Sequence, residues 1–205
     1  MTDVVIQLPA YDEANIIADT MRAIREQPVP EGYTVTYEAW ITRNEDKFGL
    51  CDTMVAADRV EGWDTFEAPQ GKLSARNAAH DDALARGADI IVTWDADAPP
   101  LTDGTLTALV APFEDDAVVA VNSVPVAAPE PDLIGRLTDL TGFALDRINP
   151  HMHGQCHAMT AAAWDRLGPF DDSIDQTEST TVRQIEEFGF YDRLTEIGTV
   201  ITADD

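Results

Sequence analysis

Lysine is nearly absent from this chain. Of 13 basic residues among 205, two are lysines, Lys47 and Lys72, and against them stand 38 acidic residues, for a formal charge of -25. Such an excess repels a nucleic-acid backbone or an anionic membrane over most of the surface, so nucleic acid is excluded as a partner and any bound phosphate has to be met by local cations or a metal. The acids are spread along the chain, not gathered in one tail, which is the composition of a halophilic-type surface that stays soluble when salt screens it. Cysteine is scarce too: Cys51 and Cys156 cannot build a framework of several disulfides. With no basic, apolar and small-residue succession at the N-terminus, the expected setting is a reducing cytoplasm. No apolar run approaches the roughly 20 residues that cross a bilayer, so no transmembrane segment is expected, and a membrane-borne substrate would be met peripherally, at the inner face. Neither a G-x-x-x-x-G-K-[ST] loop nor a G-x-S-x-G elbow occurs, which sets aside P-loop and hydrolase-triad chemistry.

What is present is an alternation of strand-like and helix-like stretches. Val4 to Leu8 reads as a buried strand stopped by Pro9, followed by a helix over roughly residues 13 to 26 with Asp12 and Glu13 at its start, where acids complement the dipole. Tyr33 to Ile41 is a second strand, Asp52 caps a helix to about residue 60, and Trp63 to Phe66 is a weaker third strand. Leu73 to Arg86 is alanine-rich, N-capped by Ser74 and closed by Gly87, and its small side chains would let it lie close on a sheet. Ile90 to Trp94 is the clearest strand; Val118 to Val124 is another, Leu133 to Ile148 a helix, with short elements around Trp164 and Ile185. The alternation predicts an α/β domain with a mostly parallel sheet flanked by helices and ligands at the carboxyl ends of the strands. The length favours a single domain, residues 1–205, with a donor- and metal-side half to about residue 126 and an acceptor-side half from about 127.

Asp95-Ala96-Asp97 follows the clearest strand and precedes Pro99-Pro100, which cannot continue a central ladder. Two carboxylates spaced i, i+2 can point the same way there, and such hard oxygen ligands suit Mg²⁺ or Mn²⁺, which could neutralise a diphosphate. Four segments in chain order, Val5-Ile6-Gln7-Leu8-Pro9-Ala10-Tyr11-Asp12-Glu13, Gly71-Lys72-Leu73-Ser74-Ala75-Arg76-Asn77-Ala78, Trp94-Asp95-Ala96-Asp97-Ala98-Pro99 and Leu167-Gly168-Pro169-Phe170-Asp171, resemble the GT-A glycosyltransferases of the large inverting family, family 2. The resemblance implies a Rossmann-like, nucleotide-diphospho-sugar transferase fold, and transfer of a sugar from a nucleoside-diphosphate donor to an acceptor hydroxyl with inversion.

It also implies roles. Pro9, Tyr11 and Glu13 would line the nucleotide pocket with Lys72 and Arg76 beside it; Asp95 would reach the ribose or the metal, and Asp97 would bind Mn²⁺ or Mg²⁺. The family usually carries an aspartate after the second strand that reads the donor base; this chain has Ile41-Thr42-Arg43-Asn44-Glu45-Asp46, where Asp46 could substitute and Arg43 could pair with phosphate or a charged sugar. The general base would lie in an acidic pair before a helix that ends in glycine. Counted back from Gly189 it falls on Glu178; counted back from Arg183 it falls on Thr177, with Asp175 the next carboxylate upstream. Glu178 is taken first and Asp175 second.

His151, His153, Cys156 and His157 crowd together, but their spacing fits no common zinc pattern; His153, beside Gly154, is instead expected to edge the acceptor pocket or the metal. The acceptor could be a glycan, a lipid-linked molecule or a small molecule. Two rivals remain: a degenerate member that binds a nucleotide or sugar without turnover, and a nucleotidyltransferase of related fold, which would be expected to carry a glycine-rich basic loop where this chain has Pro9-Ala10-Tyr11-Asp12-Glu13.

Overall fold

The computed structural model describes residues 1–43, 51–123, 155–173 and 180–203, with side chains between 180 and 203 described from 189 onward. Seven strands form one sheet in these residues: β1 (Thr2–Ala10), β2 (Tyr33–Thr42), β3 (Asp64–Ala68), β4 (Ile90–Trp94), β5 (Val118–Asn122), β6 (Cys156–Thr160) and β7 (Thr199–Thr202). Their order is β3-β2-β1-β4-β6-β5-β7, and β6 runs antiparallel to both its neighbours while the other pairs are parallel. The helices are α1 (Ile17–Arg25), α2 (Asp52–Ala57), α3 (Lys72–Ala85), α4 (Thr105–Val110), α5 (Ala161–Leu167) and α6 (Thr180–Ile197). The α/β fold expected from the alternation is what forms.

Strand periodicity sorts the side chains of β1 onto two faces. Val4, Ile6 and Leu8 pack with Ile17, Met21 and Ile24 of α1 and Leu106 and Leu109 of α4. Val5 points the other way, into a core with Leu73 of α3, Trp164 of α5, and Phe190 and Leu194 of α6. On that second face, Ala75 and Ala79 of α3 rest on Trp40, as the small side chains of this helix led one to expect.

One cross-strand row on the α3 face is polar yet buried: Glu38, Gln7, Thr93, His157 and Asn122 lie in register across five strands. Buried polar groups require partners, and on the β2-β1-β4 side of the row they have them. Gln7 Nε2 donates to Glu38 Oε2 (3.1 Å) and to the Ala79 carbonyl (2.5 Å), and Trp40 Nε1 also donates to Glu38. Arg86 closes an ion pair on the other Glu38 oxygen. Because Gln7 Oε1 is left as an acceptor, His80 donates to it through Nδ1 (2.9 Å) and presents Nε2 to the Thr93 hydroxyl (3.3 Å). Burial holds His80 neutral, its pKa pushed down to about 3. This network keys α3 to the sheet one pleat below Pro9 and Asp95.

Several boundaries differ from expectation. Pro9 does not stop β1; the strand continues to Ala10, beyond the last partner on β4, where it has a neighbour on β2 alone and proline is tolerated. The first helix begins at Ile17, not 13, so Asp12 and Glu13 belong to the preceding loop. Cys51, not Asp52, occupies the cap position of α2, and Ser74 does not cap α3: Gly71 does, at φ 106°, a conformation that favours glycine. Gly87 ends α3 as expected, at φ 84°, with Gly87 N–H bonded to the Leu84 carbonyl and Ala88 N–H to that of Ala83, the paired bonds of a left-handed C-terminal cap. Helix α6 is long and runs through Gly189 to Ile197, so this glycine is not a helix end. The expected helix 133–148 and the boundary near residue 126 lie outside the described residues.

Candidate functional site

Following β1 the chain steps outward to β2 and β3 and then returns to place β4 on the other flank of β1, so the strand order reverses between β1 and β4. A crevice opens at the carboxyl ends of strands at such a point. Here it is a cavity of about 490 Å³ lined by Pro9, Ala10, Tyr11, Glu13, Thr42, Gln70, Gly71, Lys72, Ala75, Asp95 and Asp97. Six residues singled out from the sequence therefore meet around one cavity: Pro9, Tyr11, Glu13, Lys72, Asp95 and Asp97.

The two aspartates face the cavity because the residue between them does not. Ala96 is fully buried, its carbonyl held by Thr20 Oγ1 of α1 at 2.7 Å. Asp95 and Asp97 thereby fall on the opposite side, Asp95 partly buried and Asp97 exposed. Behind them Trp94, also buried, donates its indole N–H to the Ala98 carbonyl, and Ala98 N–H bonds the Asp95 carbonyl, fixing the turn that follows β4. Asp95 N–H donates to the Gln155 carbonyl, which ties the aspartate turn to the chain entering β6.

Asp95 is engaged on both oxygens: Arg76 Nη2 lies 3.0 Å from Oδ1 and Lys72 Nζ 3.2 Å from Oδ2. Arg76 is sequestered, at 1% exposure of its side chain, whereas Lys72 retains 40%. Asp97 makes no hydrogen bond or ion pair among the described residues. Opposite, the loop from β1 turns at Asp12, whose φ of 59° is left-handed. That turn brings the Glu13 carboxylate back onto Tyr11 N–H (3.2 Å), while Glu13 N–H donates to Thr53 Oγ1 of α2 (2.9 Å). Burial, with a contribution from Asp97 and Asp95, pushes the Glu13 carboxyl up to about 7, against the lowering effects of the Tyr11 N–H and Lys72.

The N-terminus of α3 opens on the cavity through Gly71, Lys72 and Ala75, with no acid in its first turn to neutralise the helix dipole. The N–H groups of a helix's first turn, that dipole and the Lys72 ammonium make a place for an anion. Asn77, one turn on, brackets the backbone of Phe170: Nδ2 donates to the Phe170 carbonyl and Oδ1 accepts its N–H, both at 3.0 Å. Ser74 Oγ bonds Asp172 Oδ2 (3.0 Å). The Gly-Pro-Phe-Asp segment is thus fastened to the helix that carries Lys72 and Arg76.

Arg76 reaches the site through Asp95 and does not line the cavity. Arg43 lies 3.6 Å from Glu67 and accepts through its carbonyl from Gln70 Nε2. Asp46, His153, Gly154, Asp175 and Glu178 lie outside the described residues. Sequence reasoning gave no lining role to Ala10, Thr42, Gln70, Gly71 or Ala75; Thr42 at least was findable, since it ends β2 as Trp94 ends β4. Among the described residues no three His, Cys, Asp or Glu side chains converge to hold a metal by themselves, and no helix is long and apolar enough to cross a membrane.

No family model matches the sequence, and no curated protein does. Solved structures do match in fold. The mannosyltransferase PcManGT from Pyrobaculum calidifontis, in complex with GDP-Man and Mn²⁺, superposes with a TM-score of 0.68 at 21% identity over 98% of this chain and 55% of its own. Glucosyl-3-phosphoglycerate synthase from Mycobacterium tuberculosis, in complex with Mg²⁺ and UDP, gives 0.63 at 18% identity over 98% and 68%. S. aureus TarS 1-349 gives 0.64 at 14% over 100% and 59%. The chain therefore has the GT-A fold of these glycosyltransferases and spans between about half and two thirds of their lengths.

Proposed function

We propose that this chain is a glycosyltransferase that moves a sugar from a nucleoside-diphosphate sugar to an acceptor hydroxyl with the help of Mn²⁺ or Mg²⁺. The observation that carries this reading is the meeting of Asp95 and Asp97 with Lys72 and the N-terminus of α3 around one cavity. The GT-A fold supports it, as do two neighbours of that fold that hold a nucleotide and a divalent metal.

The donor set fits a hard cation. Asp97 is exposed and without a polar partner among the described residues, Asp95 is two residues away on the same side, and too few carboxylates converge to enclose an ion. Mg²⁺ is commonly held by one or two carboxylates and completed by water and substrate phosphates, which suits so open a ligand set. Bound there, the ion would neutralise charge developing on the leaving diphosphate. The chain's own residues do the rest: the α3 N-terminus and Lys72 receive the phosphates, Arg76 holds Asp95 in place, and Pro9, Tyr11 and Glu13 flank the nucleotide, with Asp46 as a base reader. A carboxylate, Glu178 or Asp175, takes the acceptor proton as the hydroxyl oxygen bonds to the anomeric carbon and the bond to the diphosphate breaks. Attack from the face opposite the leaving group inverts the anomeric centre, in keeping with the family 2 resemblance.

In this reading the chain is a single domain. Residues to about 126 hold donor and metal at Asp95-Ala96-Asp97, and those from 127, with His153 and Gly154, meet a glycan, lipid-linked or small-molecule acceptor. The setting is a halophilic cytoplasm, with docking at the inner membrane face where the acceptor is lipid-linked. The test is a panel of nucleotide sugars offered with Mn²⁺ or Mg²⁺ in high salt, followed by release of nucleoside diphosphate. Release with one donor, lost on chelation and in Asp97→Ala, is expected. Metal-dependent nucleotide binding without release from any donor would favour a binding protein, and release of inorganic pyrophosphate from a nucleoside triphosphate would favour a nucleotidyltransferase.

A further inference from the structure

Asp95 is the only carboxylate on the cavity wall with cations on both oxygens among the described residues, and the two cations differ in kind. Arg76 is buried and grips Oδ1 at 3.0 Å; Lys72 stands at the mouth, 40% exposed, on Oδ2 at 3.2 Å. Arg76 has little room to leave. Lys72 has solvent on one side and a flexible four-carbon stem, and an ammonium exchanges partners more readily than a forked guanidinium. In a chain where 11 of 13 basic residues are arginine, one of the two lysines is found at this position. The same ammonium acts on a second carboxylate, since Lys72 offsets part of the upward push on Glu13 from burial and from Asp97 and Asp95. Lys72 is therefore the exchangeable positive charge inside a cluster of three acids that face one cavity.

We infer that Lys72 is a built-in counter-cation for the metal site: it holds Asp95 Oδ2 until a diphosphate arrives, then transfers to the phosphate and leaves that oxygen to the metal. The inference rests on the donor-site reading above and adds to it an order of events. A divalent ion entering the cavity alone must displace Lys72 from Asp95 or bind Asp97 with an ammonium close by. For charges of +2 and +1 about 5 Å apart in water-like surroundings, that repulsion corresponds to about tenfold in affinity. A diphosphate removes the obstacle by offering Lys72 a phosphate at the N-terminus of α3, where Gly71 and Lys72 line the cavity together. Metal and diphosphate then strengthen each other's binding, and by linkage the factor is the same in both directions. The acid-rich chain gains a safeguard against holding divalent ions unproductively at this position.

The test is Mn²⁺ binding, read as loss of the free-ion paramagnetic resonance signal at about 0.01 M ionic strength, where a Debye length of about 30 Å leaves this repulsion nearly unscreened, without nucleotide and with saturating UDP or GDP. Wild type, Lys72→Gln and Lys72→Met are compared, and Asp97→Ala supplies the background of ions held elsewhere on the acidic surface. Expected is about tenfold tighter nucleotide-free Mn²⁺ binding in both Lys72 variants, with a correspondingly smaller gain on adding nucleotide. Equal nucleotide-free affinities in wild type and both variants, with nucleotide still tightening Mn²⁺ binding in all three, would overturn the role of Lys72 and leave the donor site standing. No Mn²⁺ binding above the Asp97→Ala background under any condition would remove the donor site and this inference with it.

Discussion

Replacing Asn77 by alanine tests how far the site depends on the contact between α3 and the Gly-Pro-Phe-Asp segment. Asn77 is buried and makes two hydrogen bonds of 3.0 Å to the backbone of one residue, to the N–H and the carbonyl of Phe170, whose ring is packed by Trp164 and Phe190. Truncation leaves the Phe170 N–H and carbonyl without these partners. A buried backbone group deprived of its partner costs about 1–3 kcal/mol, so the pair should cost about 3 kcal/mol. That is a large share of the roughly 5–15 kcal/mol by which domains are stable. For a chain of this size each kcal/mol moves Tm by about 2–4 °C, giving a fall of about 6–12 °C. Scanning calorimetry in matched high salt reads it directly. Asn77→Asp removes the Nδ2 donor and sets a carboxylate oxygen against the Phe170 carbonyl, and should destabilise at least as much. A shift under about 2 °C in Asn77→Ala, the lower edge of what one kcal/mol produces, would refute the claim that this side chain fastens the segment.

Two buried or half-buried titrating groups give opposite slopes to stability against pH. Glu13, raised from 4.5 to about 7, keeps a proton in the folded chain that the unfolded chain has lost, so its contribution falls as pH rises through that window. Because Glu13 is half exposed, solvent screening reduces the penalty above pH 7 to about 1 kcal/mol. Glu13→Gln should therefore raise Tm by about 2–4 °C at pH 8 and change it little at pH 4.5; a fall at pH 8 would contradict this. His80, lowered from 6.5 to about 3, lacks in the folded chain a proton that the unfolded chain takes up, so stability is lost as pH falls below 6.5. His80→Gln should flatten the acid side of the denaturation profile relative to wild type, and an unchanged slope between pH 6 and 4 would count against a neutral buried imidazole.

The parts of the fold set by short-range chemistry are legible in the sequence. Ile90 to Trp94 is apolar but for Thr93 and is followed within five residues by Pro99, so the limits of β4 and the position of Asp95 and Asp97 at its end follow from local pattern alone. Gly87 is equally plain, because few residues but glycine take a positive φ after a helix. What escapes depends on neighbours. Pro9 looks like a strand end until β4 is seen to stop short of it. Ser74 has the chemistry of a cap, but Gly71 takes that place and the hydroxyl turns to Asp172. Gly189 sits inside α6, where helix-breaking cost is small enough to be outweighed by the packing of Phe190 and Leu194 in the core around Trp164. Counting back to the base from that glycine as a helix end consequently loses its anchor. The sequence points Asp95 at metal or ribose; its two ion pairs with Lys72 and Arg76 depend on a contact between α3 and β4 that no local pattern encodes.

Thermal protection of wild type and Asp97→Ala by UDP and by GDP, each with and without Mn²⁺, is the most direct test of the central claim. A ligand that binds only the folded chain stabilises it by about 2.7 kcal/mol at one hundred times its Kd, or about 5–11 °C here. The account predicts a shift of that size in wild type with one nucleoside diphosphate and Mn²⁺ together, and most of it lost in Asp97→Ala. An equal shift in both proteins, or none with either nucleotide in wild type, would contradict a metal-assisted donor site at Asp95-Ala96-Asp97.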